Sequence, residues 1–324
     1  MANQFGRLRS RLLTPSMNET KLSVRGFHEK NPEARDLLET VGGSFLTGYA
    51  HAAAAATTAE ADAELAKLPR RFRGFAYEGA AMAMAVRDGL PVGGTRHVER
   101  FLEGEGAKHV YMVYVGVGWA MARVPRFRWS RMYTRDPLLR WLVLDGYGFH
   151  QAYFRTGKYV HEQYQEVDFP WPGPGWSSYA ARVIDHGIGR AMWFVGGTDV
   201  QRVADLVDAF PEDRHADLYA GVGLAATYAG GVGRPELESL RERAGKHRRW
   251  LAQGSAFAAT ARIEAGLENE HTTLAVQVLC GTTAQQAVRA CQETLPDPCT
   301  DDKVPAYEVW RSRIAERLSA ELEG

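Results

Sequence analysis

Four side chains in this sequence have the types and neighbours needed for proton transfer: Glu78, Asp145, Asp185 and His186. Three of them directly precede a glycine within a recurring Gly-x-small or Gly-x-Gly signature. The full set of preceding residues is Glu78, Val115, Asp145, His186, Ala220 and Gln253. If the six segments are equivalent units, these positions project toward one surface, where an acid and a base can meet and exchange protons with a ligand. The competing reading is structural, because buried polar groups must pair or cap between neighbouring helices in any fold. Around the four stand Tyr77, Tyr114, Trp119, Phe149, His150, Arg190, Trp193 and Gln253. That mixture of aromatic and hydrogen-bonding groups is suited to holding an apolar or conjugated molecule, and equally to a core whose polar tips are satisfied.

Other chemistries lack their parts. His161-Glu162 has no second histidine one turn on, so a zincin-type metal site is not expected. Ser177, Ser178 and Ser255 sit in no Gly-x-Ser-x-Gly elbow, which leaves hydrolysis without a nucleophile. Cys280, Cys291 and Cys299 are three in number and widely spaced, matching neither a disulfide framework nor paired zinc ligands. They read as cytosolic thiols. GVGWA, GIGRA and GVGLA each approach a dinucleotide loop, with Tyr111 to Val115 as a candidate strand before the first. A true fingerprint occurs once per nucleotide domain, however, and this one recurs. No metal and no cofactor is expected.

The elements that would position these residues are helices. YEGAAMA, YVGVGWA, LDGYGFH, DHGIGRA, YAGVGLA and AQGSAFA carry the marker glycines Gly79, Gly116, Gly146, Gly187, Gly221 and Gly254. The first three recur as the last three at offsets of 108, 105 and 108 residues, and Arg140-Trp141-Leu142 recurs as Arg249-Trp250-Leu251. A glycine inside a helix costs about 0.5–1 kcal/mol relative to alanine. Close approach of a neighbouring helix is the physical return that would offset it. The expected fold is therefore all-α, built of stacked helical-hairpin repeats of the tetratricopeptide kind with an internal two-fold duplication.

The expected divisions are an N-terminal arm without clean periodicity over 1–30, a first repeat half over 31–167, a Pro/Gly/Trp linker over 168–178 and a second half over 179–324. Thr282 or Thr283 is a candidate N-cap near the C-terminus, and Tyr307 to Leu322 a closing amphipathic helix. Lysines and arginines balance aspartates and glutamates at 39 each, so the electrostatic attraction that draws proteins to nucleic acid or a membrane surface is missing. No stretch is apolar for long enough to span a bilayer and no signal peptide is visible, so a cytoplasmic location is expected. The densest basic patch is Arg243, Lys246, His247, Arg248 and Arg249, a solvated helix face or a docking point for an acidic carrier domain.

Long and unusual segments carry a resemblance. RRFRGFAYEGAAMAMAVRDG (70–89), LDGYGFHQAYF, RVIDHGIGRAMWFVGG and YAGVGLAATYAGG resemble the UnbL-like family, a group encoded beside the iterative polyketide synthase in enediyne antibiotic gene clusters. The resemblance spans nearly the whole chain and implies an accessory role in turning the synthase's linear polyene into the enediyne core. It supplies no functional residues to carry over. The expectation is an acid/base isomerase or cyclase acting on a hydrophobic polyene or early enediyne intermediate. The alternative is a noncatalytic helical scaffold for a polyketide synthase carrier domain or other proteins of the same cluster, with a homodimer compatible with either.

Overall fold

The computed structural model describes residues 4–90, 96–132, 135–171, 176–297 and 304–323. The chain begins with α1 (Gln4–Leu13) and the short α2 (Leu22–Arg25). There follow α3 (Pro32–Ala54), α4 (Thr58–Leu65), α5 (Arg73–Gly89), α6 (His97–Leu102), α7 (Val110–Met121), α8 (Leu142–Phe154), α9 (Ser177–Val195), α10 (Val200–Asp208), α11 (His215–Ala229), α12 (Arg234–Ala244) and α13 (Arg248–Glu264). Helices α14 (Glu270–Cys280), α15 (Ala284–Glu293) and α16 (Ala306–Glu323) close the chain. Local chemistry sets many of these starts. Asn31 accepts from the Ala34 amide at 2.8 Å ahead of Pro32, and Asn269 accepts from the Thr272 amide at 2.9 Å. Thr283 caps α15, with Gln286 reaching back to close the capping box.

Seven long helices form the inner layer, and each packs on the next: α3 on α5, then α7, α8, α9, α11 and α13. They wind about a shared interior until α13 comes back against α7, and Arg70 just ahead of α5 bonds the Gly266 carbonyl at 2.9 Å. The shorter α4, α6, α10 and α12 lie outside. The fold is thus an all-α helical repeat, and among the described residues there is no strand. Tyr111 to Val115 is helical, which removes the strand a dinucleotide loop would need.

The glycines make the winding this tight. A β-carbon on Gly116, Gly146, Gly187, Gly221 or Gly254 would overlap the carbonyl oxygen of Glu78, Val115, Asp145, His186 or Ala220 respectively. Each of these is the residue just before the preceding helix's marker glycine. The second glycine of each pair does the same on the other side. Gly118, Gly148, Gly189 and Gly223 press on Val143, Ile184, Leu218 and Leu251, each three residues before the next marker. Gly48 in α3 makes the same contact with Ala76, so α3 is a seventh unit outside the six marked segments. One register repeats at every helix pair, including α8 on α9 across the 168–178 connection, of which 172–175 lie outside the described residues.

The N-terminal arm is not loose. Arg9 Nε donates to the Ala53 carbonyl at 2.5 Å and its Nη2 to that of Ala55 at 2.7 Å, covering carbonyls that α3 leaves open at its C-terminus. Thr20 packs on Gly42, where an added β-carbon would stand 2.9 Å from it. The arm shows no periodicity because polar bonds to another helix's end hold it, and these leave no repeat in sequence.

Candidate functional site: an aromatic cavity around a buried carboxyl

The interior faces of the inner helices follow one rule. Relative to each marker glycine, positions −1, +3 and +7 share a face. On α5, α7, α8, α9 and α11 that face supplies Glu78, Met82, Trp119, Phe149, Tyr153, Arg190, Phe194, Leu224 and Tyr228, and Arg123 follows just past the end of α7; all of them line one cavity. Phe45 from α3 and Pro15, Glu19 and Thr20 from the N-terminal segment complete it. The cavity and its opening hold about 780 Å³ of space between atoms, yet only about 70 Å³ is open to the centre of a water molecule. It is a narrow slot with aromatic walls. The ring centroids of Phe45 and Phe149 lie 4.5 and 5.0 Å from that of Trp119.

Glu78 is the one carboxylate among these inner-helix side chains. It is 3 % exposed, it accepts from the Trp119 indole N–H at 2.9 Å, and Arg190 Nη2 lies 3.8 Å from it. Burial pushes its carboxyl up to about 7, outweighing the opposing pull of Arg190. Near neutral pH, then, Glu78 is poised between acid and carboxylate, as a general acid/base requires.

Behind it lies a second layer. Asp145 accepts from Arg190 Nη1 on one oxygen and from His186 Nδ1 on the other, all three side chains being buried. Burial alone would raise the Asp145 carboxyl, but Arg190 and His186 hold it below its usual range. Burial also keeps His186 below its ordinary value despite Asp145, so the imidazole is neutral. Since an ionised Asp145 can only accept, the ring proton sits on Nδ1. His186 does not line this cavity; it orients Asp145, which orients Arg190.

The remaining sequence candidates fall elsewhere, mostly because they occupy other faces of the same helices. Asp185, at position −2, points outward into a fork from Arg214 at 2.6 and 2.9 Å. Tyr77, also at −2, stacks on Phe101 and His109. Tyr114 accepts from the Asp136 amide at 3.0 Å. Trp193, fully buried, donates to the Gly230 carbonyl at 3.0 Å. Gln253 accepts from Arg311 Nε at 3.3 Å, within a buried network that joins Arg311 to Asp217 at 2.8 Å and Arg182 to Glu308 at 2.8 Å. His150 abuts Trp119 edge-on, with ring centroids 5.5 Å apart, just behind the cavity wall. Burial lowers it to about 3 and so keeps it uncharged.

Residues not singled out from the sequence include Met82, Arg123, Tyr153, Phe194, Leu224 and Tyr228. The signal was present in the +3 and +7 spacing from each marker glycine. In the basic patch, Arg243 pairs with Asp205 and Asp208, each at 2.8 Å, and Lys246 pairs with Glu212. Cys280 and Cys291 are buried, and Cys299 lies outside the described residues.

Glu78 gives stability a definite pH dependence. Its folded value lies above the model-peptide value of 4.5, so the folded state holds a proton that the unfolded chain has released between those limits. Stability therefore falls as pH rises through that window, by about 3 kcal/mol for a shift of this size. We expect Glu78→Gln, which cannot titrate, to gain steadily on the wild type between pH 5 and about pH 8 in urea unfolding. Parallel curves for the two proteins would show that the carboxyl is not buried as described.

Fold and site together define the class: an all-α helical-repeat protein whose wound inner layer encloses an apolar, aromatic cavity. The chain belongs to the family described as protein of unknown function (DUF1702), which it matches over residues 4–318. No curated protein and no solved structure matches it. Among the described residues no helix is long and apolar enough to cross a membrane.

Proposed function

We propose that this protein binds a flat, hydrophobic polyene or early enediyne intermediate from an iterative polyketide synthase, in the cytoplasm, and isomerises or cyclises it by proton transfer. The observation that carries this reading is the Glu78 carboxyl, set near 7 at the wall of a narrow aromatic slot. Protonated Glu78 gives its proton to one carbon of the conjugated chain. The positive charge that develops is met by the faces of Phe45, Trp119 and Phe149. The resulting Glu78 carboxylate, steadied by Arg190 and the Trp119 N–H, then removes a proton from another carbon. Atoms and electrons balance, a double bond has moved or a ring has closed, and Glu78 is again protonated. The enediyne setting rests on the resemblance of the motifs around Gly79, Gly146, Gly187 and Gly221.

The test is to supply the synthase's released polyene to the wild type and to Glu78→Gln, and to follow the polyene absorption band. The wild type is expected to shift the band, and the variant to bind the polyene without changing it. Equal conversion by both would refute the catalytic role of Glu78. The scaffold reading draws on the depression lined by Lys246, Arg248, Arg249 and Ser319. It gains if substitutions there, and not at Glu78, stop product formation in the reconstituted pathway.

A further inference from the structure

A second cavity lies deeper, lined chiefly by α7, α11 and α13 with Trp310 from α16, and holding about 490 Å³ of space between atoms, of which about 30 Å³ is open to the centre of a water molecule. It is not independent of the first, because Arg190, Leu224 and Tyr228 line both. Tyr228 forms the partition. Its ring comes from α11 across the interior to α5, where the hydroxyl reaches Gly74, a position on the same face as Glu78 with no side chain to block it. That hydroxyl is buried and makes no hydrogen bond, so the ring is held by its faces and edge alone, with the Arg262 guanidinium 4.1 Å from its centroid and Phe75 edge-on at 5.0 Å. The far side of the partition exposes mainly apolar surface, with Met112, Val115, Phe257 and Ala261 among its walls beside the paired Asp145 and Arg190.

The opposite end has a different character. Arg123, two residues past the end of α7, is exposed at the rim of the first cavity. Among the described residues its guanidinium makes no hydrogen bond or ion pair, whereas Arg25 is already engaged by Glu19 at 3.2 Å. An unengaged guanidinium at one end of an aromatic bore, and a mainly apolar chamber beyond Tyr228, describe the polarity and length of the occupant.

We propose that the ligand is an elongated conjugated chain with a carboxylate terminus, held with its carboxylate on Arg123, its conjugated middle against Glu78 and Trp119, and its apolar end past Tyr228 in the second cavity. This rests on the proposed function and adds the direction in which the substrate enters. A fluorescent polyene, parinaric acid, and its methyl ester serve as probes for the full-length protein. The acid is expected to bind about fivefold more tightly than the ester, the span of an exposed ion pair. Arg123→Gln, at an exposed site, should bring the acid down to the ester's affinity and leave the ester unchanged. Leu224→Trp, which fills the partition, should weaken parinaric acid about tenfold while sparing a short conjugated acid such as decadienoic acid, with thermal melts confirming that both variants fold.

Equal affinity for acid and ester in the wild type would overturn the carboxylate anchor, and an equal loss of long and short acids in Leu224→Trp would overturn the deep placement of the tail. In either case the cavity reading survives. Failure of both parinaric acid and its ester to bind the wild type would instead contradict the cavity reading itself.

Discussion

A single methyl group at Gly187 is expected to destabilise this protein by about 3–5 kcal/mol in urea unfolding, whereas the same change at Gly43 should stabilise it by about 0.4–1 kcal/mol. Both glycines lie inside helices, and helix propensity alone favours alanine at each. The difference is what the new atom meets. At Gly187 the β-carbon would overlap the Asp145 carbonyl oxygen and lie 2.7 Å from the Phe149 nitrogen. Those are backbone atoms of α8, which cannot rotate aside, so α8 and α9 must part along their length. The separation would pull His186 and Arg190 from Asp145 and open the cavity wall at Phe149. At Gly43 the only neighbour within 4 Å among the described residues is the methyl end of Met17, at 3.4 Å, and that side chain can move. Equal effects at the two positions would show that backbone freedom, not helix contact, is what these glycines provide.

Arg190→Met is the second large effect, expected to cost about 3–5 kcal/mol near pH 8. Arg190 is 6 % exposed and supplies one of the two side-chain partners of Asp145, as well as the cation nearest Glu78. Methionine fills much of the same volume, so the loss is mainly electrostatic. Without the guanidinium the Asp145 carboxylate is buried with only a neutral imidazole against it, and its pKa climbs above that of the unfolded chain. The sign follows from that rise: the penalty is full at high pH and relieved as Asp145 takes up a proton on acidification. Wild type and variant should converge toward pH 5. Adding Asp145→Asn to Arg190→Met should restore part of the stability, because the uncompensated charge is then gone. A pH-independent loss, or a double variant worse than the sum of the singles, would mean that Arg190 acts through packing.

The two kinds of glycine behaviour also explain how much was legible from the sequence. Gly116, Gly146, Gly187, Gly221 and Gly254 announced helices and their close approach, because a costly residue repeated at a fixed spacing needs a common cause. Gly48 escaped because α3 carries only the second glycine of the pair, with Leu46 at the first position. The residues just before the markers were a good guide where they were polar and faced the cavity, as for Glu78. Asp185, Tyr77 and Tyr114 lie one residue earlier, about 100° round the helix, and so face the outer layer. The +7 residues, Arg123, Tyr153, Phe194 and Tyr228, were missed because each lies two turns from its marker glycine, and attention fell on the residues next to the glycine. The Asp145–His186–Arg190 cluster brings together helices whose residues are 41 and 45 positions apart. Only the shared register of α8 on α9 brings the three side chains together.

Proton transfer in the cavity depends on water being kept from one side chain. A titration of the Glu78 carboxyl by carbon-13 NMR, with Glu78→Gln to assign the resonance, measures this directly. The glycine-packed helices and aromatic walls predict a midpoint near 7. A midpoint near the ordinary value for glutamate, 4.5, would mean that water reaches Glu78 freely, and would contradict the enclosed cavity and the proton chemistry assigned to it.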